Sequence, residues 1–190
     1  MTTMKKTILT LGALAICLSM GIKMQAQTNS ADHAISLGLA EVALLGTQSG
    51  PVNLVLSGSL AAGEAVLAEK SDSSAYIQYS SVISEGSPRT LYAKYTGTVP
   101  PGTFLKALVK VPGANSSGDF GTPIATAVTL AATDNALVTN IGSCYSGTGA
   151  TDGYNLKYTW GLDNPEANYA EIRATAAAAV TVTLTITGAI

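Results

Sequence analysis

The sequence predicts an all-β chain, an antiparallel β-sandwich of about seven to nine strands, and three observations carry that prediction. Charged residues make up only 12% of the 190, about half of the roughly 25% usual in globular domains. Gly, Ala, Ser, Thr and Val fill the difference, which suits extended strands and tight turns better than a charged helical surface. Apolar residues fall on every second position in run after run, and clusters of Gly, Pro, Ser and Asn separate the runs.

Ahead of the first run, residues 1–26 read as a secretory leader. Lys5 and Lys6 form a positive n-region, Ile8 to Met20 an apolar h-region, and Ala26 a small residue at the cleavage position. The apolar stretch is shorter than the roughly 20 residues that cross a bilayer as a helix, so no transmembrane segment is expected in the mature chain. Bulky Ile16 before Cys17 argues against lipid attachment at that cysteine, which reads as a small apolar member of the h-region. Residues 27–33 read as a flexible N-terminus, and 34–190 as one sandwich domain.

Within 34–45, Ile35, Leu37 and Leu39 share one face. Glu41 then interrupts, and Val42 and Leu44 take the opposite phase, as at a bulge or where a strand passes between sheets. After Pro51, Val52, Leu54 and Leu56 alternate with polar neighbours. Residues 75–83 hold Tyr76, Ile77, Tyr79, Val82 and Ile83. In 90–96, Leu91, Ala93 and Tyr95 stand opposite Tyr92 and Lys94. TVPPGT at 98–103 is a type II turn, with Pro101 presetting the first central position and Gly102 supplying the positive φ.

From 104 to 111, Leu105, Ala107, Val109 and Val111 alternate with Lys106 and Lys110. Two weaker runs follow, one with Ile124, Thr126, Val128 and Leu130 and one from Ala136 to Ile141. The clearest strands come last. Tyr154, Leu156, Tyr158, Trp160 and Leu162 share a face, most simply that of the core. Val180, Val182, Leu184 and Ile186 alternate without exception with four threonines, a stripe that a helix would scatter around its circumference. The alanine run 176–179 allows a turn or two of helix within 167–179.

Several of these pieces resemble small secreted β-sandwich proteins of Bacteroidetes-type bacteria: the leader ending in QAQ, EVALLG at 41–46, AYIQYSS at 75–81, TVPPGTFLKALV at 98–109, IGSCYSGTG at 141–149 and VTVTLTIT at 180–187. More distantly, the layout is similar to pilin-like and spore-coat-U-like domains, whose strands pair within or between subunits. That resemblance implies an Ig-like, pilin-like sandwich. Chaperone–usher pilins commonly carry a disulfide, which this chain cannot form internally once Cys17 leaves with the leader, and no functional residues transfer.

Chemistry is sparse. Removal of Lys5, Lys6 and Lys23 with the leader leaves seven of the ten basic residues against twelve acidic ones. No basic cluster remains to neutralise phosphates, so nucleic acid is not an expected partner. The single histidine, His33, lies just past the cut, far from the rigid shell that Ser–His or Cys–His catalysis needs. One histidine and one mature cysteine cannot build the usual four-ligand zinc site. The acids are scattered singly, and Asp163, Asn164 and Glu166 come nearest to a calcium loop without reaching one. No catalytic, metal or cofactor-binding residue is assigned, and no cofactor is expected.

Cys144 reads as a free, partly buried thiol packed beneath its loop, with an intermolecular bridge as the alternative. Gly147, Gly149 and Gly153 read as hairpin-loop glycines, since no helix N-terminus follows to make a phosphate site. The tyrosines Tyr76, Tyr79, Tyr92 and Tyr95 are candidate surface or interface residues, because exposed aromatics stack on sugars or bury in interfaces. Core or edge packing is their simpler role. The expectation is a non-enzymatic structural or assembly protein, exported to the cell surface, the medium or the periplasm. Its partners would be further copies of itself or other surface proteins, with a glycan-binding module as the alternative.

Overall fold

In a computed structural model, residues 32–56, 61–64, 69–113, 115–174 and 178–187 are described. The expected leader at 1–26, most of the expected flexible N-terminus at 27–33, and half of the alanine run lie outside them. Two units divide the chain, Met1–Gly38 and Leu39–Ile190. The sandwich belongs wholly to the second.

Its strands are β1 (Val42–Gln48), β2 (Lys70–Val82), β3 (Arg89–Gly97), β4 (Thr103–Pro112), β5 (Ser117–Gly118), β6 (Thr122–Pro123), β7 (Val128–Thr129), β8 (Asn135–Ile141), β9 (Cys144–Tyr145), β10 (Tyr154–Leu162) and β11 (Val180–Thr187). They form two antiparallel sheets. A seven-stranded sheet runs β5-β9-β2-β10-β4-β7, with β1 also on β2, and a four-stranded sheet runs β11-β3-β8-β6.

Length makes β2 the spine of the larger sheet. Its thirteen residues carry β1 beside Tyr76–Val82 on one edge. The other edge carries β9 beside Ser80 and Ser81, then β10 from Ile77 back to Lys70. The β2–β10 register slips between Leu156 and Tyr158. Polar side chains close the slip: Ser74 N donates to Asp72 Oδ1 at 2.8 Å and Asn155 Nδ2 to the Ser73 carbonyl at 2.7 Å. The hydrogen bonds from the Ser74 hydroxyl and amide hold the Asp72 carboxyl below its ordinary range.

The inward faces build one core, with Ile77, Leu91, Leu137, Val138, Ile141, Tyr154 and Leu156 essentially without solvent contact. Along β11, Val182, Leu184 and Ile186 stand opposite Tyr95, Ala93 and Leu91 and pack on that core while the threonines point away. The predicted turn is present, with Gly102 at φ 70° and Thr103 N bonded to the Pro100 carbonyl at 3.2 Å.

Four local expectations need correction. Residues 34–41 form no strand, and Ile35, Leu37 and Leu39 are 73%, 90% and 84% exposed. In β1 it is Leu45, opposite inward-facing Tyr79, that packs on the core, whereas Leu44 lies beside Ser80 and is exposed; directly opposed residues share a face of the sheet. The Val52–Leu56 run keeps its alternation of half-buried and exposed residues but joins no ladder. The run at 124–130 shrinks to β7. A helical turn does fall within 167–179, as the 3-10 turn Tyr169–Glu171 preceded by α1 (Pro165–Asn168).

Candidate functional site

The two ends of the sandwich differ in chemistry. At the end where β2 passes into β3, aromatic and polar groups satisfy one another. The rings of Tyr79, Phe120 and Tyr154 lie 5.8–6.2 Å apart, centroid to centroid. Both tyrosine hydroxyls donate to the Phe120 carbonyl, at 2.8 and 2.9 Å. Burial pushes both phenols above their ordinary range. Cys144, beside them in β9, is buried and unpaired, and burial followed by the Asp119 carboxylate pushes its thiol up to about 11.

The loop before β10 closes on Asp152. Its carboxylate accepts from Gly149 N at 2.6 Å and from Asn115 Nδ2 at 2.8 Å. A Cβ on Gly149 would come within 2.8 Å of that carboxylate although its φ is ordinary. Its glycine is therefore needed for space, while Gly147 and Gly153 also hold positive φ. On the edge of this end, the Glu41 carboxylate accepts from Arg89 Nη2 at 2.9 Å, from Ser84 N at 3.1 Å and from the Ser84 hydroxyl. The Ser84 bonds, more than the Arg89 charge, hold Glu41 below the ordinary carboxylate range.

At the opposite end the sheets part around a cleft of about 830 Å³. Leu105, Tyr158, Trp160 and Leu162 line it from the larger sheet, Val182 from the smaller, and Leu54 from the segment after β1. Tyr158 and Trp160 are half-buried, and burial pushes the Tyr158 phenol up to about 12. Arg173, at the rim, is engaged by the carbonyls of Ala170 and Ile172. Such a surface offers apolar contact and little acid–base chemistry, so it suits an aliphatic guest.

The residues singled out in the sequence do not converge. Tyr79 is 3% exposed and bonded in the core, which removes it as a surface residue. Tyr95 is half-buried and packs on the core from β3. Tyr76 lies on the outer face of the larger sheet and Tyr92 on the outer face of the smaller one, each half-buried, so the four make no common platform. His33 lies in the exposed segment before β1, and Cys144 is buried, without a disulfide partner among the described residues.

The cleft was missed. Alternation places Tyr158 and Trp160 on the inward face but does not say whether the other sheet covers them. Among the described residues, no three His, Cys, Asp or Glu side chains group as a metal site, and no helix is long and apolar enough to cross a membrane. Comparison with protein families, curated proteins and solved structures yields no match to this chain.

Proposed function

We propose that the chain is an exported, non-catalytic structural subunit that works by associating with further copies of itself in a surface or extracellular assembly. The observation that carries this reading is the row Ile35, Leu37 and Leu39, three large aliphatic side chains with most of their surface in water. Burying each would contribute about 1.5–3 kcal/mol. An exposed apolar segment outside any ladder is the kind that a sheet edge or groove of another molecule takes up. The leader-like residues 1–26 and the sparse charge support export and a surface that meets other protein rather than nucleic acid.

The test is sedimentation and electron microscopy of the chain from residue 27 onward across a wide concentration range. The expected result is concentration-dependent association into larger particles. A single monomeric species at every concentration would retire the proposal.

A further inference from the structure

We propose that the outer face of the larger sheet binds an acidic polysaccharide: Lys106, Lys110 and Lys157 hold its carboxylates, and Tyr76 and Asn155 hold a neighbouring sugar ring. The face is complete within one copy, so it binds whether or not the molecules assemble.

Charge is the first argument. The chain holds twelve acids, yet the strands of the larger sheet contain one of them, Asp72, against Lys70, Lys106, Lys110 and Lys157. Asp72 and Lys70 stand opposite Tyr158 and Trp160, on the side of the sheet that lines the cleft, because directly opposed residues share a face. The other three lysines take the outer side. Lys157 stands opposite Leu108, and Lys106 and Lys110 lie two residues to either side of Leu108, alternating with buried Ala107 and Val109. Far apart in the sequence, Lys157 and the two β4 lysines are thus diagonal neighbours, roughly 7–8 Å apart.

These lysines are also unneutralised. Arg89 and Lys94 pair with Glu41 and Asp134, whereas among the described residues Lys106, Lys110 and Lys157 form no ion pair. Lys106 Nζ instead lies 3.8 Å over the Phe104 ring on the same face. The Glu69 side chain comes onto this face beside Gly161 and Phe104 and pairs with none of the three. Three ammonium groups gathered without counter-charge make a local field that draws a polyanion.

The adjoining groups are what turn the choice to a sugar polymer. Tyr76 stands directly opposite Gln48 of β1 and Asn155 of β10, so one row crosses three strands and meets Lys157 two residues beyond Asn155. Asn155 Nδ2 donates to the Ser73 carbonyl at 2.7 Å, while among the described residues its Oδ1 has no donor and the Tyr76 hydroxyl has no partner. A sugar ring supplies apolar C–H groups for the aromatic face and hydroxyls for both polar atoms. A carboxylate on the next ring meets the ammonium groups in charge-assisted hydrogen bonds.

The experiment titrates oligogalacturonate, and the same oligosaccharide methyl-esterified, into the purified protein by calorimetry. The expected result is saturable binding of the acid form, weakened by salt, and none of the ester. Lys110→Gln, Lys157→Gln and Tyr76→Ala should each weaken binding roughly tenfold. Lys94→Gln, on the smaller sheet, should leave it unchanged. Lys110 is exposed, so its variant tests the face without disturbing the fold. Absence of binding overturns the inference, and so does a loss in Lys94→Gln equal to that in Lys110→Gln. Polyphosphate or duplex DNA bound as tightly as the oligogalacturonate also overturns it, since charge alone would then account for the binding.

Discussion

The closed end of the sandwich and the cleft end are built from the same strands, and the contrast shows what decides whether a β-sandwich interior is finished. Strand β10 contributes to both. At its start Tyr154 is 1% exposed, stacked 5.8 Å from Tyr79 and bonded to Phe120. Four and six residues on, Tyr158 and Trp160 stay half-buried and line the cleft. The short strands make the difference: β5, β6 and β9, with the residues between and around them, cap the closed end and supply Phe120, Cys144 and Asp119. Across the other end the segment 49–56 lies along the cleft without joining a sheet.

That contrast predicts that truncations at the two ends differ in cost. Tyr154→Ala removes a fully enclosed ring and should lower unfolding free energy by about 3–5 kcal/mol. Trp160→Ala removes a larger ring that is only half-buried, and should cost about 1–2 kcal/mol in the dissociated chain. Urea unfolding of both variants at one low protein concentration measures the pair. Equal costs would break the comparison, because they would mean the cleft is packed as tightly as the core.

A smaller effect sharpens the account of the closed end. The Phe120 carbonyl accepts from two hydroxyls, so Tyr79→Phe or Tyr154→Phe alone leaves it one donor. Each should cost about 1 kcal/mol or less. The double variant leaves the carbonyl with neither, and its cost should exceed the sum of the singles by about 1 kcal/mol. Strict additivity in a double-mutant cycle would show that the two hydrogen bonds do not share their acceptor in solution.

The parts of this fold that were legible in the sequence are those where periodicity and burial coincide. β10 and β11 have the boundaries expected of them because one alternating face of each is the less exposed one along the strand, buried or half-buried. Residues 34–39 alternate just as cleanly and form no strand, since alternation records which residues share a side and not whether anything covers that side. The same gap hid the cleft at Tyr158 and Trp160. It also misplaced Tyr79, whose role depends on Phe120, 41 residues away. Gly149 was read as a turn residue, whereas the carboxylate of Asp152 is what requires it.

The mildest test uses pH and bears on the closed end alone. The fold holds the Cys144 thiol neutral, raising it from an ordinary 9.0 to about 11, through burial first and the Asp119 carboxylate second. A group whose folded value is raised adds stability that is complete below its unfolded value and is lost as pH rises through the folded one. Unfolding free energy should therefore hold from neutrality to about pH 9 and decline toward about 11. The tyrosines raised in the same way, Tyr158 to about 12, extend the decline to higher pH. Cys144→Ala should flatten only the lower part of that window. At pH 8 the native thiol should resist Ellman's reagent and react at once in urea, because a buried, protonated sulfur offers neither access nor thiolate. Prompt reaction in the native state, or an alkaline slope that Cys144→Ala leaves untouched, would mean that the closed end opens to solvent, and the distinction between the two ends would fail on the side where the packing is tightest.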